Sequence, residues 1–276
     1  MREIIDKNGT LHHILDIPEN YTTSDKVTSI AFTAFKSINP KNVVLGPSVK
    51  NLDYSLFYKS PVETVIIEGQ VTVLPKYTFA GTQNLKKVVL PDTLQIIEAE
   101  AFKDSSIEEI ILPPHLTSIG ARAFAGSGIR KITIPQSVTF IGQEAFASCN
   151  NLEYVSLPEN LEIIKTSCFA YNSKLNFDLL TLPKNLKEIH PYAFLTALDD
   201  DKKCEIYIPE TVEIIGDHAF PNNSTLFVTE KQLENNKHIK EFAHVDTSLE
   251  GKLNILLKEK ALSLSQINKM FADKGR

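Results

Sequence analysis

Nine phenylalanines, Phe35, Phe57, Phe79, Phe102, Phe124, Phe146, Phe169, Phe194 and Phe220, each stand eight residues after an aliphatic residue. Those aliphatics, Val27, Val49, Val71, Leu94, Leu116, Val138, Leu161, Leu186 and Val212, recur every 22 to 26 positions. A further aliphatic follows each of them three places on: Ile30, Leu52, Leu74, Ile97, Ile119, Ile141, Ile164, Ile189 and Ile215. Three apolar columns aligned over nine copies restrict the fold severely. A unit this short cannot bury its own apolar side, so the copies must stack, each covering its neighbour, into one continuous core.

Within a copy the order is aliphatic, aliphatic, small residue, Phe, turn, and then a short strand that ends in proline, as in Leu85 to Pro91, Ile107 to Pro113, Ile129 to Pro135 and Leu152 to Pro158. Alternate residues of such a strand point inward, and the proline removes a donor where ladder pairing should stop. The residue before each register aliphatic is polar from the second copy on: Ser48, Gln70, Thr93, His115, Ser137, Asn160, Asn185 and Thr211. Such side chains are expected to hydrogen-bond the turning backbone, which is costly to bury unpaired. The period and pattern predict a β-rich leucine-rich-repeat solenoid of about nine repeats, with one short parallel strand per repeat and a turn-rich convex side.

The array sets the domain limits. Residues 27–229 are expected to form the repeats, 1–26 an N-terminal hairpin cap and linker, and 230–276 a C-terminal cap with a helical tail. Asn8-Gly9, between Ile4-Ile5 and Leu11 to Ile14, is a two-residue β-hairpin signal, and Ile17-Pro18 reads as a vestigial strand end. Copies seven and eight are long, with spacings of 25 and 26. The eighth carries Asp199-Asp200-Asp201, which lacks the alternating ligands and central glycine of a calcium loop and is expected to be a solvated turn. Lys231 to Phe242 should be a short capping helix or a loop, and Thr247 to Glu250 is a capping box that predicts a helix ahead of Leu253, Leu256 and Leu257. A second helix from Ser263 or Ser265 would complete a hairpin that packs as a cap or docks a partner.

Hydrophobic residues make up 42% of the chain, enough to fill this core, yet no apolar run approaches the roughly 18 residues of a membrane span. A net charge of −5 with both signs interspersed gives no field suited to nucleic acid. Cys149, Cys168 and Cys204 are too few for a disulfide framework, and Cys168 occupies the small position before Phe that is Ala101, Ala123, Ala145, Ala193 and Ala219 elsewhere. No phosphate-binding loop, nucleophile elbow or two-histidine metal motif occurs. The expectation is a non-enzymatic chain with no cofactor, metal site or small-molecule substrate. MREIIDKNGT does not read as a secretory signal, so a cytoplasmic location is expected, with cell surface or secretion as the alternative.

Binding chemistry should then lie on the sheet. The outward residue between the two inward aliphatics of each strand gives the column Val44, Ile66, Val89, Ile111, Thr133, Ser156, Thr181, Tyr207, Phe227. The column two places earlier is Asn42, Thr64, Lys87, Glu109, Lys131, Tyr154, Leu179, Glu205, Thr225. Val44, Ile66, Val89 and Ile111 form an aliphatic stripe expected to meet a protein partner on the concave face. Lys87, Glu109, Lys131, Thr133, Tyr154 and Tyr207 would set specificity.

The segments Ile119-Gly120-Ala121-Arg122-Ala123-Phe124, Ile141-Gly142-Gln143-Glu144-Ala145-Phe146 and Ile215-Gly216-Asp217-His218-Ala219-Phe220 resemble the BspA-like leucine-rich repeats of bacteria and some microbial eukaryotes. That resemblance implies a stacked solenoid used to bind proteins or cell-surface components, and many relatives are exported adhesins. The function expected is protein–protein interaction through the sheet face. The alternatives are an exported or surface adhesin, and an intracellular inhibitor that occludes a partner enzyme.

Overall fold

The computed structural model of the chain describes residues 2–15, 19–36, 38–196, 204–241 and 243–248. Its axis is the phenylalanine column. All nine rings are buried, consecutive centroids lie 4.8–5.4 Å apart, and from Phe57 onward successive planes are within 17° of parallel. This spacing is close to the separation of hydrogen-bonded strands, so ring stacking and backbone pairing share one repeat distance. Tyr21 closes the column edge-on against Phe35 at 5.8 Å.

Each turn of the solenoid has three sides. The first is a broad parallel sheet of strands three to four residues long, including Asn20–Thr22, Asn42–Leu45, Thr64–Ile67 and Lys87–Val89. Its inward residues fall in line, Tyr21 beside Val43, Val43 beside Val65 and Val65 beside Val88. It continues in Lys131–Thr133 with Tyr154–Ser156, and in Cys204–Tyr207 with Ser224–Phe227 and His244–Asp246. The second side is a narrow parallel sheet of two-residue strands, among them Val73–Leu74, Ile96–Ile97, Ser118–Ile119 and Phe140–Ile141. Each of its inward members is the second aliphatic of a copy. The sequence pattern showed this stretch only as buried columns, because two residues are too few to display an alternation.

The Phe turn is the third side and pairs as regularly as a strand. The N–H of Phe102 donates to the carbonyl of Ala123 at 2.7 Å, Phe124 to Ala145 at 2.8 Å and Phe146 to Cys168 at 2.8 Å. Two residues before and after each Phe from Phe57 to Phe169 the backbone turns left-handed, as at Glu100 (φ 59), Asp104 (φ 54), Arg122 (φ 54), Glu144 (φ 56) and Ser148 (φ 57). A non-glycine residue there costs of order 1–2 kcal/mol. The conformation turns those N–H groups to the next copy as well: Glu100 donates to Ala121 and Asp104 to Ala125.

Buried polar side chains three residues after Phe satisfy the phenylalanine carbonyls. Thr82 Oγ1 donates to Phe79, Cys149 Sγ to Phe124, and Asn172 Nδ2 to both Phe146 and Phe169. Burial pushes the Cys149 thiol up to about 11, and Cys168 is fully buried in the small position ahead of Phe169. The polar column before the register aliphatics also bonds backbone at three places: Thr93 to Val71, Ser137 to Pro114 and Leu116, and Thr211 to Lys184.

Two expected strands differ. In copy seven, Phe177–Leu179 is a 3-10 turn whose start is capped by the Asn176 side chain, which accepts from the N–H of Asp178. Segment 109–111 lies in the row of the broad sheet, yet it is not a strand and no backbone bond joins it to Lys87–Val89 or Lys131–Thr133. The turn from Phe102 to Ile107 has the same length as those from Phe57 to Val62 and Phe124 to Ile129, whose strands do pair, while the tandem Pro113-Pro114 removes two donors at the exit of this segment. Ile110 is only half-buried, whereas Val88 and Ile132 are buried.

The N-terminal hairpin pairs Arg2–Ile5 with Thr10–Leu15 and lays the latter on the narrow sheet. Its loop is wider than the two-residue turn expected. Gly9 N–H donates to Asp6 O, and Gly9 alone takes positive φ (+80), after Lys7 and Asn8. Glu3 ties this hairpin to the broad sheet, accepting from Tyr21 Oη at 2.7 Å, from Ser24 N–H at 2.9 Å and from the Ser24 hydroxyl. At the other end the short helix Glu230–Asn235 starts in a capping box of Thr229 and Gln232. Gln232 Nε2 donates to the Pro209 and Val212 carbonyls, while Asn236 Oδ1 accepts from Ile215 N–H. The expectations for Ile17-Pro18, for Asp199 to Asp201 and for helices beyond residue 248 lie outside the described residues.

Because the rings form one stack, Phe124→Ala should lower the melting temperature more than Phe35→Ala. A buried Phe→Ala change costs about 3–5 kcal/mol, and a central lesion uncouples two halves of the array; differential scanning calorimetry of the two variants checks the order. Partial burial pushes the Glu3 carboxyl up, but the hydrogen bonds from Ser24 and Tyr21 outweigh it and hold the group below its ordinary 4.5. A depressed folded-state value stabilises above the unfolded value and is lost as pH falls through the folded one. The stability gap between the wild type and Glu3→Gln, measured by urea unfolding, should therefore be present at neutral pH and close on acidification below 4.5.

Candidate protein-binding face

Period-two geometry sends every second side chain of the broad sheet outward. Val44, Ile66 and Val89 stand side by side in register. Val44 and Ile66 are half-buried and Val89 is 39% exposed. Ile111 continues the row from the unpaired segment and is 89% exposed. No other large hydrophobic side chain among the described residues is so open. Burying such a side chain is worth about 1.5–3 kcal/mol.

The polar members also lie on this face. Lys87, Glu109, Lys131 and Thr133 are exposed and Tyr154 is half-buried. Lys131 neighbours Tyr154, and Thr133 neighbours Ser156. Tyr207 belongs to a second cluster farther along, stacked on Phe227 at 4.5 Å and donating to Glu205 Oε2 at 3.2 Å. Burial, with the Glu205 carboxylate beside it, pushes its phenol up to about 12. The ten residues singled out by sequence thus share one face: an aliphatic group from Val44 to Ile111 with Lys87 and Glu109, an aromatic one at Tyr207, and Lys131, Thr133 and Tyr154 on strands between these two groups. The 3-10 turn Phe177–Leu179 also lies between the two groups.

Sequence reasoning missed a row along one margin of this face. Glu19, Lys41, Glu63, Lys86, Glu108, Arg130 and Glu153 alternate in sign from one copy to the next. Lys41 pairs with Glu19 at 2.7 Å, Lys86 with Glu63 at 2.5 Å and Arg130 with Glu153 at 3.2 Å. The Lys86 ammonium holds the Glu63 carboxyl below the usual carboxylate range, and Glu19 raises Lys41. Exposed pairs of this kind contribute little and weaken with salt. Three cations and four carboxylates leave the margin close to neutral. The signal was a sign alternation at the repeat period.

Histidines serve local structure. His12 lies 3.1 Å from Asp6, His190 lies 2.9 Å from Glu188, and His238 reaches the Ile215 carbonyl at 2.7 Å. Among the described residues no three His, Cys, Asp or Glu side chains are placed to hold a metal ion, and no helix is long and apolar enough to cross a membrane.

Comparison with solved structures finds a leucine-rich repeat protein from Bacteroides ovatus ATCC 8483 at 21% identity and a TM-score of 0.54, over 89% of this chain and 66% of that one. The chain therefore spans just under two thirds of that relative, and the likeness is one of fold. A leucine-rich repeat protein from Eubacterium ventriosum ATCC 27560 is 16% identical at a TM-score of 0.47, covering 83% of this chain and 70% of that one. A Leucine Rich Repeat protein of T. pallidum is 15% identical at 0.43, covering 90% and 95%. No curated protein matches the chain significantly. In sequence, the BspA type leucine rich repeat region matches in 6 copies over residues 17–127, 73–199 and 199–259. With that match over most of its length, and with the stacked turns described above, the chain belongs to the BspA type leucine-rich-repeat family.

Proposed function

We propose that this chain is a non-enzymatic protein-interaction module that receives a protein partner on its broad sheet, centred on Ile66, Val89 and Ile111. The observation that carries this reading is Ile111, 89% exposed at the point where the ladder is interrupted. An aliphatic side chain left in water beside Val89, bordered by Lys87, Glu109 and Lys131, is the arrangement of a small apolar centre with a polar rim. Strands about 4.8 Å apart make the face roughly 40 Å long over nine turns, the scale of a standard protein interface. The half-buried Val44 and Ile66 supply a firm floor next to the open pair.

Specificity in this reading comes from the charges. Lys87 and Lys131 flank Glu109, so a partner must offer opposite charge in the order acid, base, acid or leave ions unpaired. Val89→Glu with Ile111→Glu places two carboxylates in the apolar centre while changing only outward side chains, a class of substitution usually within about 0.5 kcal/mol of neutral for folding. The double variant should keep its circular dichroism spectrum and melting temperature. In affinity capture from native-host lysate it should lose the proteins that the wild type retains. Undiminished capture by a folded double variant would place the contact elsewhere.

A further inference from the structure

The start of the solenoid carries a second surface, on the Phe-turn side rather than on the broad sheet. Phe32 (39% exposed), Tyr54 (53%) and Tyr58 (49%) occupy the positions three before or one after a buried Phe in the first two copies. Phe32 and Tyr54 stack on each other at 5.4 Å and 8°. Lys36 Nζ lies 6.0 Å from the Phe32 centroid and Lys59 Nζ lies 5.1 Å from that of Tyr58. Lys76, exposed in the next turn, follows Tyr54 in the same column. The nearby Asp53 is committed to the backbone, accepting from the N–H groups of Phe32 and Tyr54. Lys36, Lys59 and Lys76, set against Asp53 and the Glu98 carboxylate that accepts from the Lys76 N–H at 3.0 Å, leave the patch with a small positive excess in a chain whose net charge is −5.

We propose that this aromatic and lysine patch is a docking site for an acidic, extended segment of a protein partner. Charge complementarity selects an anionic occupant, since exposed lysines beside aromatic rings offer both an electrostatic and an apolar contact to carboxylates on an aliphatic chain. The ring geometry disfavours single-stranded nucleic acid, which needs free faces for base stacking: Phe32 and Tyr54 already cover each other, and Lys59 covers Tyr58. A flat anionic bilayer is disfavoured because the cationic excess is local: the same side runs on into the paired charges Lys103–Glu100 and Arg122–Glu144, which add no net positive charge for an extended anionic surface. Tyr rings held in place are well suited to a peptide, giving large contact area with few rotatable bonds. The site is independent of the broad-sheet reading, and one can fail without the other.

The test is fluorescence anisotropy with a labelled peptide of alternating Glu and Leu, titrated with the whole chain. The result expected is saturable binding that weakens roughly tenfold or more in Lys36→Glu/Lys59→Glu and in Tyr54→Ser/Tyr58→Ser. It should weaken with added salt and be unchanged in Val89→Glu/Ile111→Glu. Circular dichroism of both patch variants confirms folding, and the two pairs remove charge and ring area separately. No saturable binding, or binding that both folded patch variants retain, overturns the proposal. So does tighter binding of oligothymidine or of phosphatidylserine vesicles by the wild type.

Discussion

Ring stacking at the spacing of backbone pairing is the constraint on which the rest of this molecule depends. Once one Phe lies about 5 Å from the next, the turn that carries it must superpose on the next turn. That brings the N–H of each Phe from Phe57 to Phe194 onto the carbonyl before its successor. The left-handed residues on both sides of the Phe are then needed to bend the chain while aiming their own N–H groups along the axis. Their strain is offset by those bonds and by apolar burial, which at about 25 cal/mol per Å² dominates in an interior this large. The narrow and broad sheets follow as the two other sides of the same stack.

Stacking also dictates where freedom remains. Every inward position is fixed by a column, so variation is confined to outward rows and to turns that change length. The tandem Pro113-Pro114 follows the interrupted ladder and the most exposed aliphatic side chain among the described residues, Ile111. The first two copies place aromatic rings where later copies have Ala99, Ala121, Ala125 and Ala147. Both features are local departures from a regular framework, and a repeat fold acquires distinct surfaces by such departures.

Much of this was legible in sequence because side-chain periodicity is written there directly. The Phe column, the two aliphatic columns and the proline strand ends needed only counting, and the outward rows followed from the two-residue period. Backbone conformation was less legible. Ser55, Tyr77, Glu100, Arg122 and Glu144 are not the Gly or Asn that announce positive φ, and stacking forces them into it. Ile107, Ile110 and Leu112 carry the same pattern as their neighbours, yet the segment does not pair, and nothing in that pattern sets it apart from the segments that do. The rows Val44 to Ile111 and Lys87 to Lys131 were readable as outward, but how far each side chain stands in solvent depends on packing across copies. The aromatic and lysine patch escaped notice because its rings fill columns that carry mostly small or charged residues in later copies, so no periodic signal marks them.

Amide hydrogen exchange resolved along the Phe column tests the stacked array most directly. If each copy is held chiefly by its two neighbours, protection should be greatest at the N–H groups of Phe102, Phe124 and Phe146 and should fall toward Phe57 and Phe194, which donate to the next copy in the same way. Equal protection along the column, or a maximum at either end, would contradict the account, because stability would then come from the caps or from each copy alone.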